Sequence, residues 1–371
     1  MKETGRIEKE KFDKWLADDG PAAIISKEQL RPVVGEGSIV FPPTFAPDQN
    51  ASDKRSEYVI DQTRSGKICL LDSVGSQANR MEALFKSQKY SQLVPKVIIK
   101  AGTHEVNLLD AGHRAADAIV RYSELGEDLG KAFKALKENG DALQLAKIAP
   151  TSFVFGAWDS RDTQAKIPRI VSSTIMAYDV ESLTRSAQYI PPLDYKEAGI
   201  VEEAGLTSES KDLGELGLTH VPAPRALGGI IAHGGIRREC VLNLTALRTI
   251  GAPDAASTSK LRRYILGLAL VAFTAPTELN LRQGCLLVRN TDKATEWKVI
   301  KYDGATESFA LSQEDALAYA QAAAEDFQIG KSRNVQFKSE RLKEAVKAKG
   351  KRVRKGGDKE VSRSAPDGEV S

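Results

Sequence analysis

Short apolar runs, each bounded by polar or glycine residues, recur along the chain and predict β-strands. Some alternate apolar and polar positions, which is the pattern of a strand with one buried face. The six predicted strands are "KICLLD" at 67–72, "KVIIK" at 96–100, "TSFVFGAW" at 151–158, "RIVSSTIMAYDV" at 169–180, "GCLLVRN" at 284–290 and "EWKVIKYD" at 296–303.

Other segments repeat apolar residues every three or four positions and predict helices. In "SVGSQANRMEALFK" the polar Ser76 precedes the apolar Met81 and Phe85, which is typical of a helix start after a strand. Ser312 stands three residues before Asp315 at the head of "SQEDALAYAQAAAEDF", a variant of the capping box. Further helices are predicted in "HRAADAIVRYSEL" at 113–125 and "STSKLRRYILGLALVAF" at 257–273. Because strands and helices alternate irregularly, the pattern favours an α+β fold over a doubly wound sheet.

Composition narrows the class of protein. The chain has 371 residues, 41% of them apolar, which is enough for one elaborated core or two linked ones. Residues 1–14 are charged throughout and the apolar run 266–275 is about half the length of a bilayer span, so a cytoplasmic protein without membrane contact is expected. The three cysteines are far apart and predict buried, reduced thiols: Cys69, Cys240 and Cys285.

Three segments look irregular. Residues 20–53 are rich in proline, glycine and polar residues, and residues 195–224 are acidic and weakly periodic, which predicts an insertion on the surface. After Lys338 the chain becomes basic and has few apolar residues, so a disordered tail is predicted.

The stretch "RALGGIIAHGGIRREC" could carry chemistry, because glycine lets a backbone approach a ligand closely and guanidinium groups suit phosphate oxygens. The alternative is a glycine hairpin that turns two strands, and the spacing fits neither the dinucleotide fingerprint nor a Walker loop. The candidate RNA-binding residues here are Gly228, Gly229, His233, Gly234, Gly235, Arg237 and Arg238.

Three more stretches combine amide, hydroxyl and basic side chains, and two of them contain an aromatic ring that could stack on a base. Capped helices and solvated loops are the alternative for each stretch alone, but four such stretches together favour nucleic-acid binding. The candidates in these three stretches are Ser76, Gln77, Asn79 and Arg80; Arg161, Gln164, Lys166 and Arg169 beside Trp158; and Arg185 and Gln188 beside Tyr189. His113 and Arg114, in a predicted helix, are a further candidate pair.

Catalytic patterns are weaker. The four histidines show no metalloprotease, nucleophile-elbow or zinc spacing, so no metal site, cofactor or catalytic residue is predicted. His233, between alanine and glycine, is the least implausible acid-base group.

The motifs "LLDSVGSQANRMEAL", "TSFVFGAWDSRDTQAKIPRIVSS", "TRSAQY" and "GGIIAHGGIRRECVLNL" occur in this order between about Gln29 and Val299. In this combination the sequence resembles the RAMP-superfamily Cas-seven backbone subunit of the type I-G (formerly I-U) CRISPR Cascade complex. The resemblance implies an RRM-like (ferredoxin-like) core with large insertions, subunits that stack in a helical oligomer along CRISPR RNA, and a thumb hairpin. It also implies other Cascade subunits as partners, target DNA recognised by pairing with the RNA, and no nuclease activity.

The expected division is a charged segment at 1–19, an RRM-like RAMP domain at 20–335 and the basic tail at 336–371. Within the domain the thumb candidate is 30–58, preferred over the surface insertion at 195–224. Two enzymes remain alternatives: a RAMP-type endoribonuclease that processes precursor CRISPR RNA with His233 or His113 as base, and a glycine-loop enzyme that binds a nucleotide.

Overall fold

The structure is a computed structural model that describes residues 11–45, 57–205 and 212–347. Its strands are β1 Ala23–Pro32, β2 Thr44–Phe45, β3 Glu57–Tyr58, β4 Ile60–Thr63, β5 Gly66–Asp72, β6 Val97–Ala101, β7 His104–Asn107, β8 Ala157–Trp158, β9 Lys166–Ile167, β10 Val171–Tyr178, β11 Val180–Tyr189, β12 Val221–Ala232, β13 Ile236–Asn243, β14 Asn280–Arg282, β15 Cys285–Arg289, β16 Glu296–Ile300, β17 Thr306–Ser308 and β18 Arg333–Gln336. Its α-helices are α1 Val74–Ala83, α2 Ala118–Arg121, α3 Gly126–Asn139, α4 Leu143–Ile148, α5 Thr151–Phe155, α6 Ile200–Glu203, α7 Asp212–Glu215, α8 Leu244–Arg248, α9 Ala255–Thr274 and α10 Gln313–Phe327. Short 3-10 helices lie at Asp13–Trp15, Leu84–Lys86, Ser91–Leu93, Leu108–Asp110 and Arg114–Ala116.

One large sheet organises the chain, with strand order β14-β15-β1-β13-β10-β5-β4, and β16 extends it by also pairing with β1. All neighbours in this sheet are antiparallel. Every second residue of β1, β10 and β13 is buried, so one face of these strands packs on the interior. The other face is half-exposed, and it is exposed at Val241 and Asn243 near the end of β13. The chain is therefore a mixed α and β protein built on an antiparallel sheet, which agrees with the predicted α+β class.

Helices pack on the buried face of this sheet. The long helix α9 is capped by Asp254, whose carboxylate accepts from the backbone N–H of Ser257. The helix is buried almost completely from Tyr264 to Phe273. Helix α10 lies against it so closely that a Cβ on Gly267 would come within 2.8 Å of the backbone of Ala320. A glycine is therefore needed where the two helices cross.

Two apolar clusters share the buried face. The larger contains α9 and one end of each central strand, and the smaller contains Leu30, Ile175 and Ile236 near the other end. The register of the strands places polar side chains between the clusters, and we call these the polar seam: Glu28, Asp72, Gln77, Ser173 and Arg238.

A long two-stranded arm leaves the sheet where β10 ends and β13 begins. It consists of β11 and β12, and most of its outer half is exposed. Residues 190–220 lie beyond these strands, and they include the short helices α6 and α7, while residues 206–211 fall outside the described part. The predicted insertion at 195–224 is thus the distal part of a hairpin.

The thumb candidate at 30–58 differs from the expectation. Its first residues, up to Pro32, belong to the central strand β1, and Val40 exchanges backbone hydrogen bonds with Ile230 at the base of the arm. Residues 46–56 lie outside the described residues. Where this segment is described, it lies against the base of the projecting arm, which is formed by β11 and β12.

The predicted tail at 336–371 also begins later than expected. Gln336 is paired with Lys100 in a small sheet of order β18-β6-β7, and residues 339–347 are helical. Lys338 forms an ion pair with Glu124 at 2.7 Å. The remainder of the tail, 348–371, lies outside the described residues.

One predicted strand is wrong. The segment "TSFVF" forms helix α5, all five residues of which are buried, and only Ala157 and Trp158 of that prediction are extended. A continuous apolar run fits a buried helix as well as a buried strand. The cysteines are buried and free, as predicted.

Candidate nucleic-acid interface

Three of the predicted RNA-binding side chains belong to the polar seam or border it. Gln77 is fully buried and donates to Asp72 Oδ2 at 2.6 Å. Arg80 donates to the same oxygen at 3.1 Å, and Arg238 is buried with Nη1 3.5 Å from Glu28 Oε2. These groups bind buried carboxylates of the protein, and their assignment to RNA stays a prediction. The partner of Arg238 comes from another strand, which the local pattern does not reveal.

Arg114 is also internal, with its side chain only 6% exposed. Its Nε lies 2.7 Å from Glu82 Oε2, while its other nitrogens donate to Asn79 Oδ1 and to the carbonyl of Gly156. Burial raises the pKa of Glu82 to about 7, although Arg114 acts in the opposite direction. Arg114 therefore joins α1 to the segment that follows α5, and its predicted contact with RNA is corrected to a structural one.

The loop between β8 and β9 is held by one buried carboxylate. Asp159 accepts from Arg121 Nη2 at 2.9 Å and from both the backbone N–H and the hydroxyl of Thr163 at 2.8 Å. Gln164, at a positive φ of 61°, donates its backbone N–H to the Asp159 carbonyl. These bonds fix the backbone of the loop, so its backbone needs little ordering when a ligand binds.

Three basic side chains project from this loop and its exit. Arg161 and Lys166 are exposed and have no carboxylate partner in the described residues. Lys166 Nζ lies 4.8 Å from the ring centre of Trp158, whose side chain is 53% exposed. Arg169 donates through Nε to the Phe155 carbonyl at 2.8 Å, and its outer nitrogens have no partner among the described residues.

Two further predicted residues are close to Arg114. Asn79 is exposed and accepts from Arg114, while His113 is exposed and directly precedes it. Ser76 is half-buried in the first turn of α1, where its backbone N–H donates to Ser73 Oγ. We define the basic face as the exposed residues grouped around Gly156: Asn79, His113, Trp158, Arg161, Lys166 and Arg169.

The arm carries a separate pair of predicted RNA-binding residues. Arg185 lies 5.2 Å from the ring of Phe41, and Gln188 Oε1 is 3.1 Å from His220 Nε2. Both are exposed. They are positioned by β11 and not by the elements that carry the basic face.

The glycine-rich stretch forms β12, a turn and β13. The two strands do not pair with each other, because β12 pairs with β11 while β13 pairs with β1 and β10, so the stretch differs from the hairpin alternative stated for it. A Cβ on Gly228 would come within 2.8 Å of the Leu183 backbone, and one on Gly229 within 2.8 Å of the Val40 carbonyl. A Cβ on Gly234 would meet Tyr178 at 2.9 Å. These three glycines accommodate other parts of the same chain, and their approach to RNA stays a prediction. Gly235 has no neighbour within 4 Å, and His233 is exposed beside Glu181.

Sequence reasoning missed two carboxylates, Glu82 and Asp159, that position the basic groups. The sequence shows Asp159 among polar residues in "AWDSRDT", but this pattern does not predict that its carboxylate is buried. In the described ranges no group of three or more histidine, cysteine, aspartate or glutamate side chains is arranged to hold a metal ion. No helix within them is long and apolar enough to cross a membrane.

Residues 24–182 match the model of the family described as CRISPR-associated protein GSU0053. This match confirms the resemblance to a CRISPR-associated family. The matched residues 24–182, which we call the CRISPR-associated segment, run from β1 into β11 and include every residue of the basic face. It ends before the glycine-rich stretch. No curated protein matches the chain.

Proposed function

We propose that this chain is a non-catalytic backbone subunit of a type I CRISPR interference complex, the Cascade complex, and that it binds CRISPR RNA through phosphate contacts on the basic face. The supporting observation is the loop ordered by Asp159, which presents Arg161 and Lys166 without carboxylate partners inside the CRISPR-associated segment. Target DNA is recognised through pairing with the RNA, so the protein needs contacts that do not depend on base sequence.

An RRM-like core is consistent with the strand order β15-β1-β13-β10. In chain order β1 precedes helices α3 to α5, β10 and β13 follow as neighbours, and α9 leads to β15 and β16. This is the β-α-β-β-α-β arrangement of ferredoxin-like folds, with β4, β5 and the arm as additions.

We assign the role of thumb to the β11–β12 arm. It projects from the sheet beyond the core, whereas the residues described before position 46 lie against its base. Arg185 and Gln188 on the arm are then candidates for RNA contacts away from the basic face.

The double variant Arg161→Gln/Lys166→Gln should weaken binding of unpaired RNA by about tenfold or more, whatever its sequence. A hydrogen bond to a charged group contributes about 1.5 kcal/mol or more, and tenfold corresponds to about 1.4 kcal/mol. Fluorescence anisotropy of a labelled RNA, titrated with the full chain at several salt concentrations, measures this effect.

The matched control is Lys96→Gln/Lys331→Gln, which removes the same charge from two exposed lysines next to the small three-stranded sheet. It should bind like the unchanged chain. Equal affinity of both variants would contradict the basic face as the RNA site, and cleavage of the RNA by the purified chain would contradict a non-catalytic role and favour the endoribonuclease.

RNA should also drive association between copies of the chain. A subunit that coats RNA gains register and cooperativity from contacts between neighbours. Light scattering over a series of RNA lengths, with other Cascade subunits added where nucleation requires them, should give a mass that increases stepwise with length. One chain per RNA at every length would contradict a backbone subunit.

A further inference from the structure

A cavity outside the basic face opens at the end of the central sheet. It has a volume of about 300 Å³ and lies between the end of β1, the loop that follows it and the turn from β12 to β13. Arg31, Lys293 and His233 contribute basic side chains to its lining. We call it the Arg31 cavity.

Two of these cations are free of internal partners. Neither Arg31 nor Lys293 makes an ion pair or a side-chain hydrogen bond with any residue that the structure describes. The cavity also contains a carboxylate, Glu36, but one of its oxygens accepts from Asn290 Nδ2 at 2.8 Å. His233 Nε2 lies 3.1 Å from Glu181 Oε2. A hydrogen bond from a neutral amide leaves the charge of Glu36 in place, so the lining carries two cations without an ion-pair partner, Arg31 and Lys293, and one carboxylate.

An aromatic and basic pair lies next to the cavity, on the half-exposed face of the sheet. The Arg237 guanidinium carbon is 3.8 Å from the centre of the Tyr178 ring. Arg237 pairs across the strands with Gln29, and Arg31 lies two residues further along the same strand, so Arg31 and Arg237 share this face. Tyr178 in turn donates its backbone N–H to the carbonyl of Gly235, which lines the cavity.

Arg237 has no carboxylate among its direct cross-strand neighbours, although it attracts the carboxylate of the more distant Glu296. The direct neighbours are Gln29 and Met176, both uncharged, and Arg237 Nε has no hydrogen-bond partner among the described residues. Lys27 on the same face differs, because it is paired with Glu239 on one side and Glu296 on the other. Positive charge on this face is therefore concentrated at the end that borders the cavity.

These features match the parts of one nucleotide. Arginine and lysine suit phosphate oxygens, and an arginine-covered tyrosine is a surface on which an unpaired base can stack. A volume of about 300 Å³ is at the small end of ligand pockets, which run from roughly 300 to 1,000 Å³. It suits a single nucleotide better than a longer stretch.

We propose that the Arg31 cavity and the Arg237–Tyr178 pair form a subsite for one unpaired nucleotide, in which Arg31 and Lys293 contact its phosphates and the pair stacks on its base. This inference rests on the proposed binding of nucleic acid by the chain. The chemistry is shared by a stretch of RNA and by single-stranded DNA, and the test separates them.

The test uses the full chain, a fluorescein-labelled oligouridylate and the matching oligothymidylate. The variant Arg31→Gln/Lys293→Gln should bind its preferred strand about tenfold more weakly, because two charge-assisted contacts are lost. The slope of log affinity against log salt should also become shallower by about 1.4, since each phosphate contact to a single strand contributes about 0.7. Because neither side chain has an internal partner, the circular dichroism spectrum and melting temperature should not change.

A second readout reports on position. Oligouridylate that carries 5-iodouridine should crosslink to Tyr178 on irradiation, and the crosslink should be absent in Tyr178→Leu. Mass spectrometry of the digested complex identifies the attached peptide.

The outcomes separate this subsite from the proposed function. If Arg161→Gln/Lys166→Gln weakens RNA binding while Arg31→Gln/Lys293→Gln binds like Lys96→Gln/Lys331→Gln and no crosslink reaches Tyr178, the subsite is overturned and the RNA-binding proposal stands. If the chain binds only oligothymidylate and the cavity variant weakens it, the subsite serves DNA and the RNA proposal fails. Binding of neither strand overturns both.

Discussion

Replacement of Arg114 by methionine is expected to lower the free energy of unfolding by about 3–5 kcal/mol, because it leaves the buried carboxylate of Glu82 without its charged partner. Methionine retains much of the apolar stem, so little of the loss comes from packing. Urea denaturation followed by circular dichroism at pH 8, where Glu82 is largely ionised, measures this change in the free energy of unfolding.

The double variant Arg114→Met/Glu82→Leu is the control. With both charges gone, an apolar pair of similar volume should restore most of the stability. Arg114→Met with unchanged stability at pH 8 would mean that the ion pair does not support the fold.

The pH dependence provides an independent check. The pKa of Glu82 is raised by burial to about 7 in the folded protein, above the ordinary value of 4.5, so the folded state binds the proton more tightly. The corresponding stability is fully present below about pH 4.5 and is lost as pH rises through about 7. Glu82→Gln should remove this component from the pH profile, and the defect of Arg114→Met should shrink toward acidic pH.

These expectations affect how binding experiments on predicted RNA residues are interpreted. Arg114, Arg80 and Arg238 all hold buried carboxylates, so a loss of RNA binding in their variants would follow from a damaged fold. The basic residues that can be tested cleanly are the exposed ones of the basic face.

The local pattern predicted several elements but missed β1, a central strand of the sheet, which lies within the segment 20–53 that was predicted to be irregular. Alternation in "RIVSSTIMAYDV" and "EWKVIKYD" identified two strands of the central sheet, and Ser312 caps α10 by accepting from the Asp315 backbone, as predicted. At 151–155 the pattern failed because a fully buried run has no polar face that could distinguish a helix from a strand.

The candidate site was harder to predict because burial of a basic residue depends on partners distant in the chain. Asp72 lies near Arg80 in the sequence, but it is also 3.7 Å from Arg282, and Glu28 pairs with Arg238. Residue type alone therefore gave Arg161 and Arg238 the same assignment, although one is exposed and the other is enclosed in the polar seam.

The glycine pairs illustrate a similar ambiguity. A glycine signals that some group approaches the backbone closely, but the sequence does not say whether the group is a ligand or another part of the chain. At Gly229 it is the segment that contains Ile39 and Val40, which crosses the base of the arm.

Gly229→Ala is expected to destabilise this junction more than Gly235→Ala does, by about 1–3 kcal/mol. Both glycines have a left-handed backbone, with φ of 93° and 80°, so both substitutions carry a similar conformational cost. Only at Gly229 would the new methyl group lie 2.5 Å from Ile39 Cγ2 and 2.8 Å from the Val40 carbonyl oxygen, whereas Gly235 has open space.

Unfolding of the two variants in urea measures the difference, and limited proteolysis locates it. If the clash acts locally, the hydrogen bond from the Gly229 N–H to Tyr58 Oη should be lost, and cleavage should accelerate in residues 38–45 and at the base of the arm. Equal stability and equal cleavage in the two variants would mean that residues 38–41 shift to accommodate the methyl group without a loss of folding free energy. The arm would then be anchored by the continuation of the chain from β10 into β11 and from β12 into β13, and not by the segment that crosses its base.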